Sequence, residues 1–121
     1  MGKSEKNQTW VLSSEIDKTP IIAGGAPLAG VERQIMAYCD ECMCAVVEAE
    51  SGAVVGLLHS HPNTQITFIS EGLFEYTVAG ETRILKKGDT ALTLANVEHG
   101  CVCVQAGTMV EFFVPMRPEF V

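Results

Sequence analysis

The chain has 121 residues, 47% of them hydrophobic, enough to line one core without a disulfide framework. Its 15 acidic against 8 basic residues leave a formal charge of −7, a field that repels a phosphate backbone, so nucleic acid is excluded as a partner. No apolar run is long enough to span a bilayer, and the polar opening MGKSEKNQTW holds no apolar signal segment, so a cytoplasmic protein without a membrane partner is expected.

In chain order, residues 1–8 read as a mobile tail and residues 9–121 as one domain. Thr9 to Leu12, with the lone Trp10, reads as a first edge strand. Asp17 to Gly30 contains Pro20, Gly24, Gly25, Pro27 and Gly30 and reads as a long loop or a pair of turns. From Val31 onward, short apolar or alternating runs succeed one another: VERQIMAY, CMCAVVEAE, LLHSH, QITFIS, LFEYTV, ETRILKK, DTALTLA, GCVCV and TMVEFFV. Turns are expected at Ser51-Gly52, Pro62-Asn63, Glu71-Gly72, Ala79-Gly80 and Gly88-Asp89. No stretch carries a sustained helical stripe, and strands this short and evenly spaced predict an all-β sandwich or barrel. The 5 cysteines include the pairs Cys42-x-Cys44 and Cys101-x-Cys103, too closely spaced for a usual zinc site. They read as free thiols packed in strands, as a reducing compartment allows.

All 3 histidines fall into one arrangement. His59 and His61 are two apart in a predicted strand, so their rings share a face. Gln65 follows across the Pro62-Asn63 turn, and His99 returns from a later strand. Three imidazoles and one oxygen donor make a half-shell for a divalent transition metal, open on its far side. Nickel, zinc, iron, cobalt and manganese all accept such ligands.

These residues resemble the cupin superfamily. Its first motif, a Gly, a His-x-His, a carboxylate and a later Gly, appears as GLLHSHPNTQITFISEG, with Gly56 closer to the histidines than usual. Its second appears as GDTALTLANVEH, with Leu94 and Asn96 in place of the usual Pro and Gly. The resemblance implies a single-domain double-stranded β-helix, or jelly-roll barrel. Gln65 stands where Glu is usual. An amide cancels none of the ion's charge, so an anionic substrate is expected to bind the metal directly.

The stretches HSHPNTQITF, NVEHGCV and FVPMRPEF, with a weaker likeness around RQIMAY, are similar to the small KdgF-type cupins of pectin and alginate breakdown. Those linearise 4,5-unsaturated uronates and carry Gln as their fourth ligand. Their tail, Asp-x-Phe-x-Pro-Met-Arg, implies active-site roles for Glu111, Phe113 and Arg117. Taken alone, the strand pattern puts Met109, Glu111 and Phe113 on one face. It leaves Glu111 readable as a solvent-facing edge residue and Arg117 as a surface residue. Glu111 is one methylene longer than the family's Asp, and Pro118-Glu119 replaces a common acidic pair. The resemblance also implies a homodimer, with strand exchange around Trp10, and a small acidic sugar as substrate. An iron dioxygenase and a non-catalytic carrier of a small acid are the alternative functions.

Overall fold

In the computed structural model, which describes residues 2–121, alternation of buried and exposed side chains resolves into eight strands. These are β1 (Thr19–Ala23), β2 (Ala26–Cys39), β3 (Cys42–Ala49), β4 (Val54–His59), β5 (Thr64–Val78), β6 (Glu81–Lys86), β7 (Thr90–Thr93) and β8 (His99–Val114). All pairings are antiparallel, in the order β1-β2-β3-β8-β5-β6, with β4 also on β8 and β7 also on β5. The period of two is cleanest in β3, where Met43, Ala45, Val47 and Ala49 are buried and their neighbours are not. No helix among the described residues is long and apolar enough to cross a membrane.

The architecture turns on the two longest strands. β5 pairs with β8 along nearly its whole length, while its other edge takes β7 at one end and β6 at the other. β8 likewise takes β3 at its C-terminal end and β4 at its N-terminal end. Between Ile69 and Phe74 the β5–β8 register shifts three times, and there the sheet bends. Val47 and Ile69 from one side of the bend pack in a single core with Val55, Phe74, Tyr76 and Cys103 from the other. The all-β jelly-roll expectation therefore holds.

The runs expected as separate strands on either side of Glu71-Gly72 are continuous in β5, and GCVCV and TMVEFFV are continuous in β8. The glycine marks a bulged bend, not a chain reversal. Gly72 has φ +85°, and a Cβ there would lie 2.6 Å from the carbonyl oxygens of Gln105 and Ala106. Across the ladder, a Cβ on Gly107 would lie 2.1 Å from the Glu71 carbonyl oxygen. The backbones meet too closely for any side chain. Gly107→Ala is expected to lower stability by about 3 kcal/mol or more, measured by urea unfolding.

Two N-terminal expectations are corrected. Thr9 to Leu12 forms no strand: the segment has no ladder partner, and a short 3-10 turn follows at Ser13–Glu15. The buried Gln34 amide donates to the carbonyls of Ser13 and Ile16, 2.9 Å each, anchoring the turn that follows without a sheet. Asp17 to Gly30 is largely strand, because only Gly24-Gly25, both at positive φ, form the turn of the β1–β2 hairpin. Pro20 fits because β1 is an edge strand, and Pro27 because it lies in β2 ahead of Val31, where pairing with β3 begins. Residues 2–8 lie along β2, where Ser4 Oγ donates to the Ile35 carbonyl (3.0 Å) and Asn7 N to that of Tyr38 (2.9 Å).

Candidate functional site

The β4–β8 register sets His59 directly opposite His99, and their ring centroids are 4.3 Å apart. His61 lies just past the end of β4, not within it as expected. It still turns toward the same point, with centroids 5.7 Å from His59 and 4.7 Å from His99. His99 opens β8, after a loop that follows β7. In that loop Asn96 takes φ +65°, which explains why Asn serves where Gly is usual: it tolerates the left-handed region. Its N–H donates to the His61 carbonyl at 2.7 Å, tying the two histidine loops together.

Hydrogen bonding sets the tautomers. The Nδ1 atoms of His59, His61 and His99 face the carbonyl oxygens of Leu57, Asn63 and Val97. A carbonyl only accepts, so each Nδ1 carries the proton and each Nε2 a lone pair. One ring nitrogen from each histidine lies within 4.8 Å of the others. Burial, reinforced by Arg117, lowers the pKa of His61. Burial also pushes that of His99 down to about 4, against the hydrogen bond to Val97. At neutral pH both rings are therefore neutral donors of electron pairs.

The remaining polar atoms fit a cation. His99 Nε2 is buried with no hydrogen-bond partner, a deficit worth about 1–3 kcal/mol if nothing fills it. His61 Nε2 lies 3.0 Å from Gln65 Oε1, so two acceptors face each other. The Gln65 amide is oriented by its nitrogen, which donates to Thr67 Oγ1 (3.0 Å), Tyr76 OH (3.4 Å) and Glu111 Oε2 (3.0 Å). Its oxygen is thereby turned toward His61. A metal ion would satisfy the orphaned His99 nitrogen and relieve the facing acceptors together.

The tail residues border the same space. The register puts Gln65 opposite Phe113 and Thr67 opposite Glu111. Phe113 is buried, edge-on to His61 at 5.8 Å and to Phe120 at 5.6 Å. Glu111 points inward, not to solvent, and burial raises its carboxyl pKa against the pull of Arg33 and Arg117. Asn63 anchors the tail through Nδ2 bonds to the carbonyls of Pro115 (2.7 Å) and Met116 (3.3 Å). Arg117 packs over the Phe120 ring at 4.2 Å and bonds Glu119. His59, Gln65, His99, Glu111, Phe113 and Arg117 all line one cavity of about 430 Å³.

Sequence reading missed Arg33 and Phe120, which line this cavity as well. Arg33 sits in β2 on the parity of buried Val31, the same signal of a charge on an inward face that marked Glu111. Cys101 and Cys103, of the same parity as His99, are buried in the core, and burial pushes both thiols up. That supports the packing role expected of them.

Residues 45–115 match the cupin domain family. The pectin degradation protein KdgF of Dickeya dadantii is 36% identical over 93 residues, 75% of this chain and 84% of that protein. Among solved structures, an RmlC-like cupin from Shewanella frigidimarina superposes with TM-score 0.86 at 27% identity, covering 98% of this chain and all of that one. KdgF from Halomonas sp. superposes with TM-score 0.85 at 26% identity, over 95% of this chain and 100% of its own. The chain therefore belongs to the cupins, and among them to the KdgF type.

Proposed function

We propose that this protein is a metal-dependent enzyme of uronate breakdown, converting a 4,5-unsaturated uronate to its linear keto acid. The observation that carries the reading is a cluster of three imidazoles, with the Gln65 oxygen against His61, set at a cavity that His59, His99 and Gln65 line while Gln65 nitrogen holds Glu111. The relative from Dickeya dadantii, named for pectin degradation, supports the substrate class.

His59, His61, Gln65 and His99 would hold one divalent transition ion, supplying a Lewis acid for the charge that develops on oxygen. The chain's own residues do the rest. Arg117 draws the substrate carboxylate into the cavity. Phe113 forms an apolar wall against which the ring lies. Glu111 accepts the proton of the anomeric hydroxyl as the bond from C1 to the ring oxygen breaks, leaving an aldehyde and an enolate. It returns that proton to C4 as the enolate becomes a ketone, so the reaction is an isomerisation with no net gain or loss of atoms. Burial keeps this carboxyl's proton affinity above the ordinary range, as a group that both takes and gives a proton requires.

Purified protein mixed with 4,5-unsaturated galacturonate is expected to abolish the absorbance of the conjugated double bond far faster than buffer. No acceleration defeats the proposal. Oxygen uptake matching substrate loss would replace it with the dioxygenase alternative.

We also propose a homodimer. Leu57 and Leu58 are 65% and 58% exposed beside the cavity and Trp10 is 80% exposed, apolar side chains that a partner copy would cover. Light scattering is expected to report twice the chain mass of 13.0 kDa, and Trp10→Ser to shift it toward the single-chain value. A wild-type protein at single-chain mass contradicts this.

A further inference from the structure

The cavity contains a second guanidinium that the reaction above leaves idle. Arg33 lines the cavity with His59, Gln65, Glu111 and Arg117. Its guanidinium carbon lies 3.8 Å from the Phe120 ring centroid, and that of Arg117 lies 4.2 Å from the same centroid. A guanidinium packed on a ring face keeps its edge N–H groups available for bonds in its own plane.

The two arginines differ in what they already bind. Arg117 donates to Glu119 Oε2 from Nε (3.3 Å) and Nη2 (3.1 Å). Arg33 Nε is buried without any partner, and among the described residues Arg33 makes no ion pair. Glu111 is the carboxyl whose field acts most on Arg33, yet Glu111 bonds Gln65 and not Arg33. Arginine cannot shed its proton to escape burial, so its idle donor calls for an acceptor from outside the chain. The planar fork suits a carboxylate.

We propose that Arg33 is a substrate-binding residue, forming with Arg117 a two-guanidinium seat on Phe120 for the carboxylate of a small organic acid. That the acid is a uronate rests on the function proposed above; the seat itself rests on the cavity. Arg33 then supplies the free fork, while Arg117 exchanges its exposed Glu119 partner for the incoming acid.

The test is calorimetric titration of the full chain with D-galacturonate and, as the uncharged control, D-galactose. The wild type is expected to bind galacturonate at least about tenfold tighter than galactose, the scale of one charge-assisted hydrogen bond. Arg33→Gln is expected to erase most of that preference and Arg33→Lys to keep part of it, with metal content and melting temperature unchanged. In turnover of the unsaturated uronate, Arg33→Gln should raise KM far more than it lowers kcat. Wild-type protein without a preference for galacturonate overturns the proposal. So does a preference that survives in Arg33→Gln or, where that variant does not fold, survives in full in Arg33→Lys. A lowered melting temperature with the preference intact assigns Arg33 a structural role only. Binding that depends on Arg33 without any turnover defeats the proposed reaction and leaves the seat standing.

Discussion

Changing His99 to alanine is expected to strip the protein of its metal. Wild-type protein purified without added metal should carry close to one equivalent by elemental analysis. Loss of a supporting hydrogen bond to a metal ligand already costs about 10–100-fold in affinity, so loss of a ligand should exceed that. His99→Ala should therefore retain a small fraction of an equivalent and show no turnover. Its fold should survive, because the side chain removed contributes a buried nitrogen with no partner. A chelator supplies the control. Metal binds only the folded state, so removing it should lower the wild-type melting temperature, by linkage worth about 4 kcal/mol at a thousandfold excess over Kd. The same chelator should leave the melting of His99→Ala unmoved. Equal metal content in both proteins would place the ion elsewhere.

Glu111→Gln separates chemistry from architecture. The substitution preserves size and can still accept the Gln65 hydrogen bond, but it cannot carry a proton. Turnover is expected to fall by about 10²–10⁴-fold, the usual contribution of a positioned acid or base. Metal content should be unchanged. Stability should hold or rise, since burial disfavours the carboxylate that the change removes. A variant that turns over at the wild-type rate would reduce Glu111 to a buried acid that merely orients Gln65.

The site was legible because strand geometry converts sequence spacing into direction. Two histidines two apart, a glutamine four further and a third histidine are enough to nominate a metal centre, and the β4–β8 register adds the reason His59 and His99 meet. Parity put Glu111 and Phe113 on one face, but their place in the site was legible only through the resemblance to the KdgF-type tail. Arg33 shares the parity of buried Val31, but no motif ties it to the site: its partner in the cavity, Phe120, lies 87 positions away in the chain, and only folding brings them together. Strand lengths were harder to read. A glycine at a bulged bend and a glycine at a turn look alike in sequence, so Gly72 suggested a chain reversal where β5 runs on. In the β1–β2 hairpin, dense Gly and Pro hid two strands because an edge strand tolerates proline. Thr9 to Leu12 shows the opposite error, a strand-like run left without a ladder to join.

That a single cation joins the three histidines and Gln65 is open to direct observation. An anomalous difference map from a crystal of metal-loaded protein, collected at the absorption edge of the metal, would locate it. One peak is predicted, at about 2.0–2.2 Å from one nitrogen each of His59, His61 and His99 and from Gln65 Oε1. No peak there, or a peak whose neighbours exclude His99, would contradict it.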